Sequence, residues 1–319
     1  MSKVKKVLSN DYMSAVMVLV VLIIAMAILS PVFLTGTNLI NVLNQVIVYA
    51  ILGAGMSCVI YTGGIDLSVG AILAVAGILC GKMMHANVPM VLAIIGGILV
   101  AVVIGAANGF LVSYCKLQPM IATLGVFQIA RGVALTITGG RTVTGFSDAF
   151  KWIGNGKLFG TEIPVAVLFM LIIYIIVYYV MKYRRLGRIL YSIGGNQEAT
   201  RLSGINVRKY KMYSYMINGL MAGIAGIIYT AKLNSAQGIA GEGYELDAIA
   251  AAVIGGTSLL GGRGSIWGTL IGAIVMGVIR NGMNLLNISS YIQQIVLGAI
   301  IILAVLFDSY KAKLMAKSK

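Results

Sequence analysis

The stretch TGGIDLSVG at residues 62–70 sets a carboxylate, Asp66, among glycines and between two long apolar runs. Between Asp11 and Lys82 no other charged residue occurs. An acid in such surroundings can take part in a proton or cation relay. It can line a translocation path or meet a cytoplasmic partner. It can also hold the start of the following helix, accepting from its first N–H groups and meeting the positive end of its dipole. On this last reading Asp66 and Ser68 fix the helix start, while Gly63 and Gly64 allow the sharp turn before it. A relay needs several buried acids, and Asp66 stands alone.

Other reactive side chains are sparse. Arg131 and Arg280 are the remaining charges inside apolar runs. His85 is the only histidine and follows an apolar run with no ligand-spaced partner, as a solvated loop histidine does. Cys58, Cys80 and Cys115 are odd in number and lack close spacing, so they read as packing residues, with neither a disulfide framework nor a metal site. No GxxxxGK[ST], HExxH, CxxC or GxSxG motif occurs; GNGKLFG at 154–160 lacks the first glycine and the Ser/Thr of a phosphate loop. The chain carries no engine of its own.

These residues must be positioned by helices in lipid. The 319 residues are 59% hydrophobic and 10% charged, with a mean hydropathy of +0.96. So little charge over this length leaves the bilayer as solvent for most of the chain. Uncharged windows at 12–65, 83–115, 163–181, 212–231 and 281–307 include several longer than the roughly 20 residues of a helical crossing. VMVLVVLIIAMAIL at 16–29 has no period-two alternation, which excludes a β-barrel. The expected fold is an all-α, polytopic bundle forming one domain over 1–319. Its crossings are expected at 13–33, 42–60, 67–82, 89–114, 119–138, 163–181, 212–231, 246–260, 265–281 and 290–307. The third, eighth and ninth are short or glycine-broken and could be re-entrant, so the count runs from eight to ten. The first apolar run is too long for a signal peptide and reads as a retained span. With both termini cytoplasmic, 17 of the 24 Lys and Arg fall inside and 5 outside, as the positive-inside rule requires. The net charge of +15 is scattered over these loops, with no basic stripe or motif for nucleic acid.

Two loops are long enough to act. The outer one, 139–162, carries mixed charge and Trp152; the inner one, 182–211, carries eight basic residues and one acid. Within the inner loop, GNQEATRLSG at 195–204 predicts a short helix, capped by Asn196, with Glu198 in its first turn and Gly204 ending it. Gly105/Gly109, Gly219/Gly223 and Gly264/Gly268/Gly272 stand four apart, a spacing that permits close helix packing in a bundle or dimer. GGIDLSVG (63–70) and GGTSLLGG (255–262) echo each other, and an offset of five crossings between them predicts inverted halves.

TGGIDLSVG, LGRILYSIGGNQEATRLSGINV (186–207) and GYELDAIAAAVIGGTSLLGGRGSIWGTLIGA (243–273) together resemble the membrane permeases of ribose-type ABC sugar importers. The resemblance spreads over nearly the whole chain. It implies a homodimer in a bacterial cell membrane, served by a cytoplasmic ATPase and an extracytoplasmic sugar-binding protein. ATP and Mg²⁺ would then lie on the ATPase, with no cofactor on this chain. The coupling segment would correspond to 194–207, with Glu198 and Arg201, supported by Gly195, Asn196, Ala199, Thr200 and Gly204, filling a groove of the ATPase. The outer loop 139–162 and the acidic loop 241–247 would receive the binding protein. Sugar would meet polar side chains of broken spans: Asn44, Gln45, Asn108, Gln128 and Asn281. Such side chains also bond neighbouring helices in membrane bundles, which is the competing role for each. The wording is closest to the ribose branch, while galactoside, xylose, autoinducer-2 and nucleoside permeases share much of it. An ion-coupled sugar carrier is the alternative class, and a passive facilitator or a membrane enzyme come behind it.

Overall fold

The computed structural model describes residues 12–317, with side chains described for residues 12–306. Lys3, Lys5, Lys6 and Lys319, and the side chains of Lys311, Lys313 and Lys317, all counted toward the cytoplasmic face, lie outside that description. The apolar runs form α1 (Met13–Leu29), α2 (Gly36–Ile60), α3 (Val69–His85), α4 (Met90–Ser113), α5 (Pro119–Thr138), α7 (Val165–Tyr183), α10 (Val207–Leu233), α11 (Tyr244–Ile254), α12 (Ile266–Leu285) and α13 (Ser290–Lys317). Six of these, α2, α4, α5, α7, α10 and α12, are long and apolar enough to cross a bilayer; α1, α3 and the 290–306 part of α13 are shorter apolar helices.

Local chemistry sets the helix ends. Thr35 Oγ1 accepts from Asn38 N at 3.4 Å to start α2. Pro119 opens α5, and Gly139 closes it at φ +59°, the left-handed conformation that costs glycine least. Burial separates the inner helices from the outer ones. In the most apolar window of α2, 83% of residues are buried, against 22% in α4, so α2 is central and α4 faces lipid.

The glycine rows make the packing close. Gly105 and Gly109 on α4 face Tyr215, Gly219 and Met212 of α10, where an added Cβ at Gly105 would sit 3.1 Å from the Gly219 Cα. Gly268 and Gly272 of α12 lie against Gly255 and Ala251 at the end of α11 in the same way. Both rows serve helix contacts within one chain.

The eighth predicted crossing, 246–260, is only partly helical. Helix α11 has 11 residues, about 16 Å of rise, roughly half the hydrocarbon core. Gly255 and Gly256 (φ +90°) end it, and residues 255–265 continue as irregular backbone until α12. Gly255, Thr257, Ser258 and Gly261 of that segment are buried, whereas Leu260 and Arg263 are exposed.

Both long loops are folded. The outer one holds a two-residue strand β1 (Val143–Thr144), paired antiparallel with β2 (Ser235–Ala236), and helix α6 (Asp148–Asn155). Phe150 of α6 is fully buried, and Gly154 lies on the backbone of Ala231 and Lys232 in α10. The inner one is two helices, α8 (Arg185–Gly195) and α9 (Gln197–Leu202).

Candidate translocation path and coupling segment

Asp66 is fully buried in the turn between α2 and α3. Its Oδ1 accepts from Ser68 N at 2.9 Å and Ser68 Oγ at 2.6 Å, closing the turn that starts α3. The same carboxylate reaches two other helices. Asn108 of α4 donates to Oδ1 at 3.2 Å and to the Ser68 hydroxyl at 2.7 Å, and Asn218 of α10 donates to Oδ2 at 2.9 Å. Three helices therefore meet on one acid through charge-assisted bonds. Asp66→Ala leaves the buried Asn218 amide without its acceptor and Asn108 with the Ser68 hydroxyl alone, and we expect about 2–3 kcal/mol of destabilisation. Thermal unfolding of the detergent-purified protein measures it; an unchanged midpoint would overturn this account.

A second junction is built of glycine. Gly63, at the turn after α2, lies against Gly261, and Gly194–Gly195, at the end of α8, lie against Gly261 and Gly262. Gly262 N donates to Tyr61 O at 3.0 Å. The Tyr61 and Tyr191 rings pack with centres 4.4 Å apart and planes tilted by 33°, and Tyr191 donates its hydroxyl to Gly264 O at 3.2 Å. A Cβ at Gly194 would meet the Tyr61 carbonyl and the Gly262 nitrogen. The two echoed motifs thus touch, and both breaks lie at one end of the bundle.

From this junction α9 projects. Asn196 Oδ1 accepts from Ala199 N at 2.9 Å, and Gly204 turns at φ +78°. Glu198 and Arg201 form an exposed ion pair at 2.6 Å, and the Arg201 guanidinium holds the Glu198 carboxyl below the usual carboxylate range. Thr200 is buried beneath them. Gly195 has open space on its side-chain face, and Ala199 is exposed.

The polar residues expected along the path separate into groups. Asn108 is committed to Asp66. Asn281 exchanges two amide bonds with Asn38, at 2.8 and 3.0 Å, tying α12 to α2. Asn44 and Gln45 are half-buried on α2, where the Asn44 carbonyl accepts from Lys232 Nζ at 2.8 Å. Gln128 is exposed on α5, on the same outer face as Leu124 and Ile129. The structure does not bring these five together.

It gathers a different set instead. Arg280 places Nη2 2.7 and 2.9 Å from the two oxygens of Asp247, and its guanidinium lies 5.5 Å from the Tyr49 ring centre. Tyr244 packs edge-on against both Tyr49 and Tyr229. Arg131 Nη1 donates to the carbonyls of Gly238 and Ala240 at 2.6 and 2.8 Å. Asp247, expected in the acidic loop, is therefore inside α11 and 2% exposed, with Glu242 left exposed on the loop. An acid in the first turn of a helix is stabilised by the dipole, and Arg280 supplies its counter-charge.

Residues 38–305 match the family described as "Branched-chain amino acid transport system / permease component". The chain belongs to that permease family. Among curated relatives of the permease, the ribose import permease protein RbsC of Escherichia coli strain K12 is 48% identical over 297 residues, 92% of each chain. RbsC of Bacillus subtilis strain 168 is 45% identical over 92% of this chain and 91% of its own. The D-allose transport system permease protein AlsC of Escherichia coli strain K12 is 42% identical, over 93% and 91%. No solved structure matches the permease at a significant level. Its membership and its apolar helices make it a multi-pass transport component of a bacterial inner membrane.

Sequence reasoning missed Asn38, Asn218 and helix α8 of the permease. The helix had a signal: Leu186, Ile189, Leu190 and Ile193 recur at helical spacing, and the last three are buried. Asn38 and Asn218 had none, because their partners lie 243 and 152 residues away.

Proposed function

We propose that this chain forms the translocation pathway of an ATP-driven ribose importer, two copies working with a cytoplasmic ATPase and an extracytoplasmic sugar-binding protein. The observation that carries the substrate is 44–48% identity with ribose import permeases over 92% of the chain. D-allose is the second reading, favoured by the 42% identical D-allose permease. ATP and Mg²⁺ are held by the ATPase. Both termini are cytoplasmic, and the chain crosses ten times. Helix α11 and the 255–265 backbone together make the eighth crossing, since Gly261 and Gly262 reach the junction beneath α8 and α9.

Cells with and without the gene, each with and without an uncoupler that spares ATP, should be given labelled ribose. Gene-dependent accumulation that survives the uncoupler is the expected result. Accumulation lost with the uncoupler would assign an ion-coupled carrier.

In this reading α9 seats in a groove of the ATPase, with Glu198 and Arg201 at the contact and Asn196, Thr200 and Gly204 holding the helix to its shape. Both charged side chains are exposed and bonded only to each other, so the fold does not depend on them. Alanine at both positions should lower sugar-stimulated ATP hydrolysis by about tenfold or more, the scale of 1.4 kcal/mol lost at an interface hot spot. Hydrolysis unchanged in that variant would remove α9 from the coupling path.

A further inference from the structure

We propose that the permease holds the phosphate of an anionic phospholipid head group in a cavity between α4, α5, α9 and α10. The cavity has a volume of about 510 Å³, and Lys116, Arg201, Arg208 and Lys211 line it with no acid among the lining residues. Arg201 is paired with Glu198, whereas Lys116, Arg208 and Lys211 form no ion pair among the described residues. Gln118 and Pro119, at an α5 N-terminus without a side-chain cap, also line it.

A second observation points to a ligand. Ser113, at the last residue of α4, lines the cavity, is 6% exposed, and has a buried Oγ with no hydrogen-bond partner. A buried hydroxyl left unbonded costs free energy, and an anion oxygen would accept from it. Three unpaired cations, a free hydroxyl and the positive end of a helix suit a phosphate better than any neutral ligand.

The apolar surroundings assign the phosphate to lipid. Phe110 and Tyr114 stack at 5.6 Å on the last turns of α4, and both are exposed, as are Leu117 and Ile121. A head group in the cavity can lay its acyl chains along this surface. Basic pockets between spans on the cytoplasmic side recognise anionic lipid in this manner.

The inference takes from the permease reading only which face is cytoplasmic. Its test needs neither sugar nor ATPase, so it can fail separately. The full-length protein, purified in detergent, is titrated with phosphatidylglycerol, phosphatidylcholine or inorganic phosphate and read by native mass spectrometry. Retention of phosphatidylglycerol over phosphatidylcholine is expected. At about fivefold per cation, the double variant Lys116→Gln/Arg208→Gln should lose about 25-fold in affinity, and Lys116→Arg/Arg208→Lys should keep it. Ser113→Ala, which removes only a hydroxyl, should lose about fivefold and serves if the double variant does not fold. Equal retention by all variants, or no preference for phosphatidylglycerol, would overturn the site. Inorganic phosphate competing as well as the lipid would overturn the lipid as its source and leave a soluble anion.

Discussion

Arg280→Gln is expected to destabilise the purified permease by about 3–5 kcal/mol, because it leaves the buried Asp247 carboxylate without its counter-charge. The two oxygens of Asp247 sit 2.7 and 2.9 Å from one guanidinium nitrogen. Asp247 is almost fully enclosed, so water cannot replace what the substitution removes. The loss is one of desolvation left uncompensated, which gives the prediction a second arm. Arg280→Gln combined with Asp247→Asn removes both charges and should recover much of the stability, since neutral replacement of a buried pair is often tolerated. Thermal or denaturant unfolding of the three variants reads the cycle. A double variant as unstable as the sum of the singles would show that packing around Tyr49 and Tyr244, and not the ion pair, holds this corner.

Gly194→Ala is expected to abolish the proposed ribose uptake, whereas the neighbouring Gly195→Ala is expected to leave folding intact. The added methyl at 194 meets the Tyr61 carbonyl and the Gly262 nitrogen, both backbone atoms that cannot turn aside. Accommodation requires moving α8 and α9 away from the two breaks they rest on, and overpacking of this kind costs about 1–3 kcal/mol or more. At Gly195 the same methyl points into open space. Uptake and gel-filtration profiles of the two variants separate the effects. Normal uptake in Gly194→Ala would mean that the junction gives way without consequence and that α9 does not need this seat.

Much of the architecture was legible in the sequence because it follows from local chemistry. Helix α9 was visible in the spacing of Asn196, Glu198 and Gly204, three residues that act on their own backbone. The apolar runs marked the helices because lipid leaves no other way to satisfy the main chain. The extent of α11 was misread for a related reason. The run 246–260 stays apolar past Ile254, but Gly255-Gly256 ends the helix, and hydropathy does not register a change of backbone conformation. Asp247 was placed in a loop because three acids lie close in sequence, although acids are also a mark of a helix start. The role of Asn108 was undetermined at the sequence level. An amide in a span looks the same whether it faces a pore or a carboxylate, and only the fold brings Asp66 to it. Asn38 and Asn281 pose the same difficulty, since neither carries any trace of the other.

The meeting of residues 61–64, 194–195 and 261–262 also orders events during synthesis. Chains fold from the N-terminus as they are made. Helices α8 and α9 emerge with only half of their support present, the turn after α2. The other half, Gly261 and Gly262, arrives after α10 and α11 have been threaded into the bilayer. A nascent or truncated chain ending before residue 262 therefore presents α8 and α9 with half of their seat missing. The same contact acts as a checkpoint on assembly, leaving α8 and α9 without their full seat until the second half of the permease is in place.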